Sequence, residues 1–139
     1  MILLDTNVIS EPLKPEGDPA VLDWLDQQDI ETLYLTAISV AELRFGIAAL
    51  PLGKRKHHLE DDFEQRILSH FDGRVLPFDL SSTAAYARIR AKARVEGKAI
   101  GVADGFIAAI ALQHGLTVAT RDVSPFKAAG VPVINPWKP

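Results

Sequence analysis

The run Leu116-Thr117-Val118-Ala119-Thr120 carries no charge and no alternation of apolar with strongly polar residues. A strand written this way is hydrophobic on both sides, the pattern of a parallel sheet covered by helices on each face. Other short runs fit the same sheet: Ile2 to Leu4, Leu33 to Thr36, Val75 to Phe78 and Val131 to Ile134. Segments with helical spacing lie between them.

Asp18-Pro19 reads as an N-cap and first helical position. Ser39 and Glu42 match a capping box, predicting a helix from Ser39 through Leu50 that Pro51 stops. Leu59, Phe63, Ile67 and Phe71 form one apolar stripe, predicting a single charged-faced helix from Lys54 to Phe71. Ser81 or Ser82 is expected to cap a helix that Gly97 closes, with Tyr86, Ile89 and Ala93 inward. Asp104 is expected to open a helix ending at His114-Gly115, and Ser124-Pro125 a last short one. The order predicts an α/β/α sandwich around a mostly parallel sheet of about five strands, with residues 1–139 forming one domain.

Ligands in such sheets bind outside the carboxyl ends of the strands, so the polar residues there come under scrutiny. Asp5 follows the first strand, Glu42 lies early on the helix after the second, Asp104 starts a helix, and Asp122 follows the fourth strand. In a parallel sheet these positions lie on one edge, where the four acids can converge, and clustered carboxylates raise one another's pKa unless a cation neutralises them. A hard divalent ion such as Mg²⁺ or Mn²⁺ suits oxygen ligands and brings phosphoryl chemistry with it. Each acid also has a purely structural reading: Asp5 and Asp104 as caps, Glu42 as the capping-box partner, Asp122 as a turn residue. Asp79 stands in the same kind of position and reads as turn and cap, so spacing alone does not separate it from the others.

The remaining features are narrower. His57, His58, His70 and His114 lack metal-ligand spacing and read as surface or cap residues. The row Arg88, Arg90, Lys92, Arg94 and Lys98 reads as an exposed face. A formal net charge of −3 argues against a chain that holds nucleic acid through a general positive field. The absence of cysteine fits a reducing cytosol. Met1 to Leu4 meets Asp5 without a basic flank, so no signal peptide is expected, and no stretch is apolar for long enough to predict a membrane span.

Four segments resemble the PIN domain, specifically the VapC-type toxins of toxin–antitoxin pairs: Ile2 to Val8, Ser39 to Leu43, Ala103 to Ala109 and Thr117 to Asp122. Met1 through Pro12 and the closing Asn135-Pro136-Trp137 look closest to the FitB branch. The resemblance implies a Mg²⁺- or Mn²⁺-dependent ribonuclease with Asp5, Glu42, Asp104 and Asp122 as its acidic quartet. Thr6, Asn7 and Thr120 would be the small polar residues around it. It implies Asp5 and Asp104 as the principal metal ligands, Glu42 binding directly or through water, and Asp122 orienting water or a second ion. Many relatives carry Asn where this chain has Asp122, and an acid or His where it has Pro125. The resemblance also implies a cytoplasmic homodimer and a cognate VapB- or FitA-like antitoxin through which alone operator DNA is bound. Two rival readings are a degenerate PIN fold that only binds, and a haloacid-dehalogenase-like phosphatase. The second would require an acid at the position held by Asn7.

Overall fold

A computed structural model describes all residues from Met1 to Pro139. Five strands, β1 (Ile2–Leu4), β2 (Leu33–Thr36), β3 (Val75–Leu76), β4 (Thr117–Ala119) and β5 (Val133–Ile134), lie in the order β3-β2-β1-β4-β5. Every neighbouring pair is parallel, so the sheet is wholly rather than mostly parallel. β1 is the middle strand, with Leu3 opposite Tyr34 on one side and Val118 on the other.

The chain builds outward from β1 through β2 to β3, then crosses back to lay β4 and β5 on the opposite side. Crossovers between parallel strands are right-handed, so reversing the direction of growth moves the connecting helices to the other face. Two cores result. One holds Leu4, Val8, Leu35, Leu43 and Phe63 under α1 (Thr6–Ser10), α2 (Pro19–Asp26), α3 (Ala37–Ala48) and α4 (Lys54–Asp61). The other holds Leu3, Ile89, Ile107, Val118 and Phe126 under α5 (Leu80–Val95), α6 (Val102–His114) and α7 (Val123–Ala128). Leu3 and Leu4, like Val118 and Ala119, point to opposite cores, as the two-residue period of a strand demands.

Several helix boundaries differ from the sequence expectation. The helix expected from Ser39 begins at Ala37, because Thr36 is its N-cap and accepts from the Ser39 amide at 3.1 Å. Glu42 is thus not a capping partner and its carboxylate is free for other work. Asp104 does not open its helix either; Gly101 is the N-cap and Asp104 sits in the first turn. The expected cap at Ser81 or Ser82 is Asp79, in a reciprocal box with Ser82. The single helix expected over Lys54–Phe71 is α4 followed by a π-helical stretch, Asp62–Ile67, and a 3₁₀ turn, Leu68–Phe71. A strict four-residue stripe gains about 40° per step on an α-helix, and the wider π turn takes up that drift so that Phe63 and Phe71 both stay buried.

The reassigned cap separates two substitutions. Thr36→Ala should destabilise the chain by about 1–2 kcal/mol in chemical denaturation. Glu42→Gln should stay within about 0.5 kcal/mol of the parent. A loss in Glu42→Gln as large as that in Thr36→Ala would return Glu42 to a capping role.

Candidate active site

The reversal of strand order falls between β1 and β4, the point at which open α/β sheets have their binding crevice, beyond the carboxyl ends of the strands. The Asp5 amide donates to Ala119 O at 2.9 Å, which carries the β1–β4 ladder one residue past the strand and aims Asp5 into this crevice. Its side chain also caps α1: Oδ1 accepts from the Thr6 amide at 2.8 Å. Oδ2 accepts from the Thr120 hydroxyl at 2.8 Å. Asp5 therefore fills the structural role considered for it, and does so at 5% exposure.

Burial pushes the Asp5 carboxyl up from 3.8 to about 6, against the pull of the Thr120 and Thr6 donors, and the charges of Asp104 and Glu42 push the same way. Asp104 is also raised, first by burial and then by Asp122 and Glu42. Asp104 and Glu42 thus lie within electrostatic reach of Asp5, and Asp122 and Glu42 within reach of Asp104. None of the four has an ion-pair partner. Asp79, by contrast, is held below the usual carboxylate range by the Ser82 amide and hydroxyl.

Small polar side chains tie the crevice together. Thr6 Oγ1 donates to Glu42 Oε1 at 2.7 Å and lies 3.0 Å from Ser39 Oγ, linking α1 to α3. Asn7 Oδ1 accepts from the Arg121 amide at 3.3 Å, while its Nδ2 faces Thr120 Oγ1 at 3.4 Å. Thr120 Oγ1 also accepts from the Asp122 amide at 3.0 Å, which sets the path of the chain into α7. Ser39 is fully buried and belongs to this network; its sequence position had marked it only as a cap. The histidines lie elsewhere, with His57 and His58 facing Asp61 and Asp62 along α4 at 3.4 and 3.3 Å.

Oxygen is the only donor type among these side chains apart from the Asn7 amide, and the charge is all negative. That donor set fits a hard divalent cation rather than zinc or copper. The carboxylates do not form a closed cage, since no three acidic or histidine side chains gather around one point. An open arrangement is compatible with Mg²⁺, which retains several waters and is shared with substrate phosphate.

The PIN-domain family model matches residues 2–131. The chain belongs to the PIN-domain family. It is 60% identical to the VapC ribonuclease Y4jK of Sinorhizobium fredii, over 100% of this chain and 99% of the relative. It is 58% identical to the toxin FitB of Neisseria gonorrhoeae, over 99% of both chains. In the structure of FitAB bound to an IR36 DNA fragment, one chain superimposes with a TM-score of 0.96 at 56% identity, covering 99% of this chain and 96% of that one. The matched span contains Asp5, Glu42, Asp104 and Asp122.

A carboxyl whose folded pKa lies above its unfolded value contributes stability at low pH that is lost as pH rises through the folded value. For Asp5 that window runs from about 4 to about 6. Without divalent ions, Asp5→Asn should be more stable than the parent by about 1–3 kcal/mol at pH 7.5, and the advantage should vanish near pH 4. Denaturant titrations at the two pH values measure it; an equal difference at both would refute the raised carboxyl.

Proposed function

We propose that this chain is a Mg²⁺- or Mn²⁺-dependent endoribonuclease, the toxin of a type II toxin–antitoxin pair, with residues 1–139 acting as one nuclease domain. The observation that carries the reading is the buried Asp5 carboxylate, facing Asp104 and Glu42 with no protein cation to neutralise it. Membership of the PIN-domain family and the ribonuclease and toxin names of its relatives support the same conclusion.

Asp5 and Asp104 are the residues that would hold the ion, being the two whose carboxyl groups are raised by burial and by neighbouring acids. A bound Mg²⁺ or Mn²⁺ supplies a water of lowered pKa and offsets charge gathering on the phosphate. The protein's contribution is orientation. Thr6 N–H and the Thr120 hydroxyl fix both Asp5 oxygens, so the carboxylate meets its ligand without rotamer loss. Thr6 aligns Glu42 for contact with the ion or with a water beside it. Asp122, exposed at the start of α7, would orient a second water or ion. Asn7 holds the backbone on which Asp122 sits. With both oxygens engaged and little surface exposed, Asp5 is poorly disposed to act as a phosphatase nucleophile.

The biological setting follows the relatives. A VapB- or FitA-like antitoxin neutralises the toxin and carries the operator-DNA contacts, consistent with the FitAB complex on DNA. The toxin works in the cytoplasm as a homodimer. No helix is long and apolar enough to cross a membrane.

Purified free of antitoxin, the chain should cleave RNA with Mg²⁺ or Mn²⁺ and stop on chelation. Asp5→Asn and Asp104→Asn should lower the rate by about 100-fold or more while remaining folded. Mn²⁺ should raise the parent's melting temperature and have little effect on either variant. Undiminished cleavage in both variants would overturn the site. An inert parent that still captures its antitoxin would favour a binding module.

A further inference from the structure

The basic row on α5 is not a uniform solvated face. Arg88 and Lys92 point away into solvent, whereas Arg90, Arg94 and Lys98 line a groove of about 650 Å³ with Tyr86 and Ile100. A second groove shares Lys98 and continues past Lys127 on α7. Arg90 donates to the Tyr86 hydroxyl at 2.7 Å and its guanidinium lies over that ring, so its head group is held rather than free. Neither Arg90 nor Arg94 is ion-paired, while Lys98 meets Glu96 at 3.3 Å.

The groove borders the start of α6. A Cβ added to Gly105, next in sequence to Asp104, would lie 2.9 Å from Tyr86 and 3.4 Å from the Arg90 stem. One added to Gly101, which follows Ile100, would lie 3.8 Å from Asp104 Oδ2. Two of its lining residues, Tyr86 and Ile100, thus border the first turn of α6, which carries Asp104, and the same groove holds Arg90, Arg94 and Lys98.

We propose that this groove is the track for the phosphates of single-stranded RNA adjoining the cleaved bond, with Arg90, Arg94 and Lys127 as phosphate-binding residues. The inference rests on the nuclease reading and names where its substrate lies. A chain of net charge −3 with four acids in its crevice repels a polyanion. Binding therefore needs cations placed locally, and the nearness of this groove to the helix turn that carries Asp104 sets them beside the path of a strand held at the acids.

The test uses the Asp104→Asn chain in EDTA, so that binding is read without cleavage, and a fluorescently labelled single-stranded RNA. Arg94→Ala with Lys127→Ala should weaken binding about ten-fold and lower the slope of log affinity against log salt by about 1.4, for two lost phosphate contacts. Arg88→Ala with Lys92→Ala removes the same charge outside the groove and should change affinity less than about two-fold. Equal weakening by both pairs would reduce the groove to part of a general field and overturn it. So would an unchanged slope in the groove pair, or a shift of that pair from dimer to monomer in sedimentation, which would make the groove a subunit interface. If the parent cleaves RNA but the groove pair binds like the control pair, the groove fails and the nuclease stands. If the parent cleaves nothing while the groove pair alone loses binding, the nuclease reading fails and the groove stands.

Discussion

A carboxylate buried at the end of the middle strand sets the terms for everything around it. Asp5 extends the β1–β4 ladder through its amide, so its side chain is delivered to the point where strand order reverses. A buried carboxylate is costly unless hydrogen-bonded, and the fold supplies two donors from separate segments, the first turn of α1 and the end of β4. Those donors do not cancel the burial: the group remains raised, with two more acids facing it. The structure thus keeps a local electrostatic debt that a divalent cation is suited to relieve.

The neutral side chains of the crevice act through that carboxylate. Thr120 is fully buried and receives the Asp122 amide while donating to Asp5, so a single hydroxyl couples the first strand to the start of α7. Thr6 performs the corresponding task toward α3, joining Glu42 to the turn that Asp5 caps. Threonine, serine and asparagine thus join the segments that carry Asp5, Glu42 and Asp122.

Much of the fold was legible because burial on both faces leaves a plain mark. Leu116 to Thr120 read as a strand buried on both faces and Ile2 to Leu4 as a first strand, and Gly115, left-handed at φ 65°, ends α6 where its position implied. Local punctuation was less secure. Thr36 and Ser39 are both good cap residues three positions apart, and the glutamate after Ser39 completed a pattern that the backbone does not use. The stripe from Leu59 to Phe71 was visible, but the π-helical turn that accommodates its period was not. Asp5 and Asp79 were indistinguishable by spacing. Topology separates them: β3 lies at the sheet edge, where Asp79 spends its carboxylate on Ser82 and Gln113.

Gly105 shows how packing and chemistry meet at one position. α5 and α6 are the two helices packed together over the second core, and their approach leaves no room for a methyl group where Gly105 faces Tyr86. A side chain here would force the aromatic cluster of Phe78, Tyr86 and Phe106 outward, and Arg90 with it, since that arginine is bonded to Tyr86. The missing Cβ therefore fixes more than a helix spacing. It sets how far the acid in the first turn of α6 stands from the cations of α5, and hence how closely opposite charges can be placed on a chain whose overall charge is negative.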